Sequence, residues 1–254
     1  MKNDELVVNG PCWVELSTSD AASATTFYTG LFGWRAETDP RPEAGGYTML
    51  SLADGPVAAL APQYQEGRPT AWLVSFQVAS ADGMADQVRE AGGTVQLGPM
   101  DVFELGRFAV CADPAGAVFS IWEPKDFRGA AVVNRPNSLG WVELHTRDVA
   151  ACTAFYPRVF GWSVSPSEYY TQWGLGGADF GGMARLDESL PPEVPPHWLP
   201  YFSVADVDAT VHKAVGHGAE RVMGPADVPG GPRIAVLRDL QGASFGVYLA
   251  GTEG

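Results

Sequence analysis

Apolar and polar residues alternate in WVELST (13–18), and the spacing of apolar residues then becomes helical. The alternation predicts a strand with two unlike faces, one bearing Trp13, Glu15 and Ser17 and the other bearing Val14, Leu16 and Thr18. The helical spacing that follows is carried by Ala24, Phe27, Tyr28, Leu31 and Phe32. Asp20 is placed to cap the start of this helix, and Gly33 suits a left-handed residue at its end.

Shorter strand patterns follow this helix, and the same order of patterns recurs further along. YTMLSL (47–52) and PVAALA (56–61) are typical of strands. From residue 71, AWLVSFQV predicts a strand and ADGMADQVREAGG a helix that ends in glycine. TVQL, GRFAVCAD and GAVFSIWE predict three more strands, with turn residues in DPAG between the last two. Each pattern is therefore interpreted as a βαβββ module.

The chain repeats both modules. Residues 11–34 return as residues 139–162, with thirteen of twenty-four positions identical, and the second module returns at an offset of 126. We therefore predict an α+β protein of two domains, built from four βαβββ modules. The first domain spans 8–124 (modules 8–62 and 71–124), the linker 125–137, and the second domain 138–250 (modules 138–187 and 197–250).

Composition narrows the classes of partner. The 254 residues carry a net charge of −14, which argues against a nucleic acid and an anionic membrane as partners. The charge favours a cationic ligand, although solubility alone also explains it. No run of about 18 apolar residues is present, and the N-terminus does not resemble a signal peptide. Three cysteines without metal-type spacing indicate reduced thiols, so we expect a cytoplasmic protein. We separately expect a monomer or a homodimer.

The module order, with WVEL, a capping Asp and FY…FGW opening each half and D..GA.F closing it, resembles the vicinal oxygen chelate superfamily. More narrowly, the chain is similar to tandem glyoxalase, bleomycin-resistance and dioxygenase-like proteins over about residues 8–250. The resemblance implies that paired modules form incomplete barrels around ligand-binding clefts.

The resemblance also implies where a metal would bind. Enzymes of this superfamily take one ligand from the first strand of a module and a glutamate from a closing strand. The matching positions here are Trp13 and Trp141, Leu73 and Leu199 in the other two modules, and Ser120 and Gly246 on the closing strands. None of these residue types binds Zn²⁺, Ni²⁺ or Fe²⁺ through its side chain as His, Asp and Glu do. We therefore expect no cofactor. The alternative is a divalent metal such as Zn, Ni, Mn or Fe at a non-standard site that includes Glu143 and His145.

Three polar residues on the opening strands of the two halves, one in the first half and two in the second, are the candidates for chemistry. Glu15 and Glu143 share a strand face with Trp13 and Trp141, and His145 lies on the face of Glu143. A desolvated glutamate is suited to proton abstraction, so Glu15, Glu143 and His145 are the candidate catalytic residues. The competing interpretation is that a glutamate in both halves serves the shared fold.

Aromatic residues on or beside the strands are the other cleft candidates. The predicted ligand-binding set is Trp13, Glu15, Trp72, Trp122, Trp141, Glu143, His145, Tyr201 and Tyr248. The alternative is that the aromatic rings fill the core. His197 is interpreted as a surface-loop residue near this cleft, and Cys111 as a buried, inert thiol.

Three functions remain open. The preferred one is metal-independent binding of a small aromatic natural product, for sequestration, resistance or biosynthesis. In one form of this hypothesis the ligand is cationic. The second is a glyoxalase-like lyase or isomerase, or an oxygenase-type enzyme, that uses Glu15 or Glu143 with His145. The third is a scaffold that binds only protein, which polar and aromatic residues facing a cleft count against.

Overall fold

The computed structural model describes residues 6–63, 69–186 and 190–249, so two predicted module ends, 187 and 250, lie outside the described residues. The first half comprises β1 (Pro11–Thr18), α1 (Ala21–Phe32), β2 (Arg35–Thr38), β3 (Thr48–Leu52), β4 (Gly55–Pro62), β5 (Ala71–Gln77), α2 (Ala81–Glu90), β6 (Thr94–Val102), β7 (Gly106–Ala112) and β8 (Val118–Pro124). The second half comprises β9 (Leu139–Thr146), α3 (Val149–Phe160), β10 (Ser163–Pro166), β11 (Tyr170–Leu175), β12 (Ala178–Arg185), β13 (His197–Ser203), α4 (Val207–Gly216), β14 (Glu220–Asp227), β15 (Arg233–Arg238) and β16 (Ser244–Leu249). The four predicted βαβββ modules are confirmed.

Each half forms one open eight-stranded sheet. The strand order is β2-β3-β4-β1-β5-β8-β7-β6 in the first sheet and β10-β11-β12-β9-β13-β16-β15-β14 in the second. The opening strand of each module pairs in parallel with its closing strand, while the other pairs within a module are antiparallel. Neither sheet closes on itself, which agrees with the expected incomplete barrels. Strand β2, whose four residues are all exposed, was missed by the sequence pattern because it has no buried face.

The repeated helix signals act as predicted. Asp20 accepts a hydrogen bond from the Ser23 amide at 3.0 Å, and Asp148 accepts one from the Ala151 amide at 2.9 Å. Both carboxylates thus satisfy amides that the first helical turn leaves unpaired. Gly33 and Gly161 end α1 and α3 with φ of 71° and 74°, a left-handed conformation that favours glycine.

The chain divides into two compact units, each of which draws on both halves. Among the described residues, the first unit contains 6–13, 73–129, 141–186 and 190–199, and the second contains 14–63, 69–72, 130–140 and 200–249. Helices α2 and α3 pack together in the first unit, and α1 and α4 in the second. The domain bounds 8–124 and 138–250, which follow the sequence halves, stay a prediction.

Each unit has an aromatic core that contains one buried chain of hydrogen bonds. In the second unit, the Trp72 indole donates to the Tyr28 hydroxyl at 3.1 Å, which donates to Asp239 Oδ2 at 2.9 Å. In the first unit, Trp198 donates to Tyr156 at 3.0 Å, and Tyr156 to Asp113 at 2.9 Å.

The two aspartates are themselves held by the turns that they begin. Asp239 Oδ1 accepts from the amides of Gln241 and Ala243, and Asp113 Oδ1 from those of Ala115 and Ala117. These contacts satisfy carboxylates that burial would otherwise penalise strongly. The repeated Asp and Tyr positions therefore have a structural explanation.

The remaining global expectations concern membranes and thiols. No helix in the described parts of the chain is long and apolar enough to cross a membrane. The three cysteines are free and buried, and burial raises the pKa of Cys111 and of Cys152 to about 12. Cys111 is therefore buried, as predicted, and its low reactivity stays a prediction.

Candidate functional site

The polar face of β9 carries two of the predicted catalytic side chains, those of Glu143 and His145. Val142 and Leu144 are fully buried on one face of this strand, so Glu143 and His145 point to the other. The side chain of Glu143 is 13% exposed and that of His145 is 23% exposed, so solvent or a ligand can reach them. Nε2 of His145 lies 2.7 Å from Oε1 of Glu143. This short contact brings together a ring nitrogen and a carboxylate oxygen on one strand face, although the ring nitrogen makes no hydrogen bond of good geometry.

Tyr170 holds Glu143 in place from two strands away. Its hydroxyl donates to Oε2 of Glu143 at 2.7 Å and accepts from the Trp141 indole at 2.9 Å. Gly182 lies between them, paired with Glu143 on β9 and with Gln172 on β11. A Cβ atom at 182 would overlap the Tyr170 ring and hydroxyl, so only glycine lets the phenol cross the sheet to the carboxylate.

A second histidine adjoins this group. His197 is the first residue of β13, and its ring lies parallel to that of His145, with centroids 5.0 Å apart and planes 7° apart. Nδ1 of His197 is 2.9 Å from the Pro195 carbonyl oxygen. The interpretation of His197 as a surface-loop residue is therefore wrong. Strand β13 begins at His197, and the ring of His197 stacks on that of His145. We call Glu143, His145, Tyr170 and His197 the Glu143 cluster.

The first half keeps part of this arrangement, in the second unit. The Tyr47 hydroxyl donates to Oε2 of Glu15 at 3.2 Å. Burial raises the pKa of Glu15 to about 7, and the hydrogen bond from Tyr47 offsets only part of that rise. Ser17 stands where the second half has His145, and Ala59 pairs with Glu15 where Gly182 pairs with Glu143. Glu15 is therefore a partly desolvated carboxyl without an adjoining imidazole on its strand.

Two predicted ligand-binding tryptophans pack against the predicted linker. Trp13, 5% exposed, makes an edge-to-face contact with the Phe127 ring at 4.9 Å between centroids. The Trp122 indole donates to the Phe127 carbonyl oxygen at 2.8 Å, and its ring covers Gly106. Both tryptophans thus contact Phe127, and the ligand-binding role predicted for them stays a prediction.

The other predicted aromatic residues lie in the second unit. Trp72 is 6% exposed and belongs to the buried hydrogen-bond chain through Tyr28. The Tyr201 ring fills the space beside Gly246, and the Tyr248 ring fills the space beside Gly140. Burial also raises the pKa of Tyr248 above its ordinary value, although a hydrogen bond with Ser203 lowers it. A ligand-binding role for these three residues and for Trp141 stays a prediction. The same holds for the ligand-binding and catalytic roles of Glu15, Glu143 and His145.

The residues present do not fit the divalent metal that the fold implies. Among residues 6–63, 69–186 and 190–249, no three His, Cys, Asp or Glu side chains are grouped so that they could hold an ion. Glu143 and His145 are close, but the ring of His197 stacks on that of His145 and does not converge with it on a common point. A stable site for Zn²⁺ or Fe²⁺ takes at least three such protein donors.

Sequence reasoning missed Tyr47, Tyr170 and Gly182. A signal for the tyrosines was present, because a Tyr-Thr pair lies at the start of the third strand in both halves. Tyr47 directly precedes β3, which begins at Thr48, and Tyr170 is the first residue of β11. The strand register places each tyrosine near its glutamate: Thr48 pairs with Leu60, and Tyr170 with Ala184. No such signal marked Gly182, because the matching residue of the first half is Ala59.

The fold and this site define the class of protein. Four βαβββ modules in two tandem open sheets, with polar side chains on the opening strand of each half, make the chain a tandem vicinal-oxygen-chelate protein. Residues 11–121 match the profile of the Glyoxalase/Bleomycin resistance protein/Dioxygenase superfamily, and residues 141–248 match that of a glyoxalase-like domain. The chain belongs to this superfamily.

Known relatives and solved structures agree with that assignment. The chain is 40% identical to the anthracycline biosynthesis protein DnrV of Streptomyces peucetius over 93% of this chain and 92% of that protein. It is 38% identical to the putative glyoxylase CFP32 of Mycobacterium tuberculosis over 97% of both chains. The fold is similar to that of the 2,3-dioxygenase LapB from Pseudomonas sp. KL28 (TM-score 0.70, 12% identity, 97% of this chain and 94% of that one). It is also similar to that of the Mn(II)-bound glyoxalase from Novosphingobium aromaticivorans (TM-score 0.70, 16% identity, 95% of this chain and 82% of that one).

Proposed function

We propose that the chain binds a small planar aromatic natural product at the Glu143 cluster, without a metal ion, as a helper in the biosynthesis of such compounds or in resistance to them. The observation that carries the proposal is the cluster itself: a partly exposed carboxyl and two imidazoles on one sheet face, held by Tyr170 and Trp141. Fixed polar groups beside flat rings are the kind of surface on which a planar ligand is oriented.

Two further observations support this ligand class. Two relatives at 40% and 38% identity are anthracycline biosynthesis proteins, and anthracyclines are fused planar aromatic compounds. The acidic balance of the chain, with a net charge of −14, favours a ligand that carries a positive charge. The lack of three converging donors among the described residues favours binding without a metal.

Titration of chelator-treated protein tests this proposal. We expect 2,6-bis(hydroxymethyl)anthraquinone, which has no metal-chelating pair of oxygens, to quench tryptophan fluorescence with saturation at one equivalent. Zn²⁺, Ni²⁺, Mn²⁺ or Fe²⁺ should leave its Kd unchanged. Glu143→Gln removes the carboxylate charge and should weaken a cationic aminoalkyl anthraquinone more than the neutral one. Glu90→Gln, at the exposed end of α2, is the matched control and should bind as the wild type does. The proposal would be contradicted if binding of the neutral probe required a metal ion. It would also be contradicted if Glu143→Gln bound the cationic probe as tightly as the wild type does.

The second candidate function is catalysis by Glu15. Its pKa of about 7 suits a general base that takes a proton from a carbon acid near neutral pH. If the chain is a lyase or isomerase of this kind, turnover should rise through a pKa near 7 and be abolished in Glu15→Gln. Under the binding proposal, Glu15→Gln leaves ligand affinity at the Glu143 cluster unchanged.

A further inference from the structure

The hydrogen bond between His197 and Pro195 determines which nitrogen of His197 carries the proton. A carbonyl oxygen only accepts, so Nδ1, 2.9 Å from the Pro195 oxygen, is the N–H donor. Burial lowers the pKa of His197 below its ordinary value, and the neighbouring His145 lowers it further, which favours the neutral ring at neutral pH. In a neutral imidazole whose Nδ1 is protonated, Nε2 has a lone pair and accepts hydrogen bonds.

Nε2 of His197 is open to a ligand. Within the part of the chain that the structure describes, His197 makes a hydrogen bond only through Nδ1, and its remaining contacts are the stacked His145 ring and the charge of Glu143. The ring is half-buried, and the stack and the Pro195 bond fix its plane and rotation. An acceptor held this way is already oriented before a ligand arrives, which reduces the entropy lost on binding.

The neighbouring carboxyl group offers a second acceptor. Oε2 of Glu143 accepts from Tyr170 at 2.7 Å, and Oε1 lies 2.7 Å from Nε2 of His145. Each carboxylate oxygen has two lone pairs, so an ionised Glu143 can accept further bonds beside these contacts. Glu143 and His197 therefore both present acceptors, and neither presents a donor when the carboxyl is ionised. A ligand complementary to these two groups must supply donors.

We propose that His197 is a ligand-recognition residue, and that it selects aromatic ligands bearing a free phenolic or alcoholic hydroxyl group over their O-alkylated forms. The inference rests on the proposed function, because it names the chemical group by which that site recognises its ligand. An ether oxygen at the same position would bring an acceptor against the Nε2 lone pair and leave both unpaired.

Paired ligands and a variant that keeps the ring test this assignment. The probes are a dihydroxy compound, 2,6-bis(hydroxymethyl)anthraquinone, and its dimethyl ether, 2,6-bis(methoxymethyl)anthraquinone. Both have the same fused ring system, and their hydroxyl or ether groups lie too far from the quinone carbonyls to form internal hydrogen bonds. We expect wild-type protein to bind the dihydroxy compound about tenfold more tightly, the ratio expected for one hydrogen bond to an oriented acceptor. His197→Phe keeps an aromatic ring against His145 but removes both nitrogens, and should reduce the ratio to about one by weakening only the dihydroxy compound.

The controls separate this inference from the proposed function. His212→Phe makes the same exchange on the exposed side of α4 and should retain the wild-type ratio. His197→Gln keeps an acceptor oxygen and should recover part of the preference, which a purely structural role of His197 would not explain. If wild-type protein binds both probes equally, or His197→Phe keeps the preference, the assignment of His197 is wrong while binding stands. If wild-type protein binds neither probe, the proposed function and this inference both fail.

Discussion

Replacing Gly182 by alanine should displace Tyr170 and thereby release Glu143. The backbone at 182 is ordinary strand, so alanine meets no conformational penalty there, and the cost comes from the overlap of its Cβ with the Tyr170 ring. The phenol must leave the sheet, and its hydrogen bonds with Glu143 and Trp141 are lost. A bond to a charged group contributes about 1.5–3 kcal/mol and a neutral one about 0.5–1.5 kcal/mol. Together the expected loss of stability is about 2–4.5 kcal/mol, or roughly 4–18 °C in Tm for a chain of this size.

A double-mutant cycle monitored by thermal denaturation measures this coupling. Tyr170→Ala alone should destabilise the protein, and adding Gly182→Ala to it should cost almost nothing, because the overlapping ring is gone. Gly216→Ala, where a Cβ meets no atom within 4 Å, is the matched control and should leave Tm unchanged or slightly raised. A Gly182→Ala Tm within about 1 °C of wild type, or additive effects of the two substitutions, would refute the reasoning.

Three further predictions concern buried polar groups. The pKa of Glu15 in the folded protein, about 7, lies above its unfolded value of 4.5. The contribution of Glu15 to stability is therefore complete below pH 4.5 and is lost as the pH rises through 7. Glu15→Gln should increase the urea-unfolding free energy at pH 8 by up to about 3 kcal/mol and change it little at pH 4.5. Trp198→Phe breaks a bond to Tyr156, whereas the Trp173 indole has no hydrogen-bond partner among the described residues, so Trp198→Phe should cost about 1 kcal/mol more than Trp173→Phe in the same denaturation assay. A thiol reagent such as DTNB should label none of the three buried cysteines in native protein and all three in urea, and rapid native labelling would contradict their raised pKa values and burial.

The fold was predictable from sequence because the repeat recorded each local signal twice. Asp20 and Asp148, or Gly33 and Gly161, act through atoms within a few residues, so their roles can be read from spacing alone. Strand β2 was missed because all four of its residues are exposed and no apolar alternation marks it.

The site was only partly predictable, because its remaining members come together through strand register. Glu143 and His145 are two residues apart on one strand, so their shared face follows from the period of two. Tyr170 reaches Glu143 only because β12 lies between their strands and has Gly182 at the crossing point. The stack of His197 on His145 likewise depends on where β13 begins, a boundary that apolar periodicity determines poorly.

The buried Trp–Tyr–Asp chains also determine the order in which the two cores are completed during synthesis. In the first unit, Tyr156 follows Asp113 by 43 residues, and Trp198 follows Tyr156 by 42. In the second unit, Tyr28 depends on Asp239, 211 residues later. At a synthesis rate of about 5–20 residues per second, the ribosome makes Asp239 roughly 2–8 s after Trp198. The first unit therefore has all its core residues while the Tyr28 hydroxyl still has no carboxylate to bind, and closing the longer loop makes the second core the slower of the two to form.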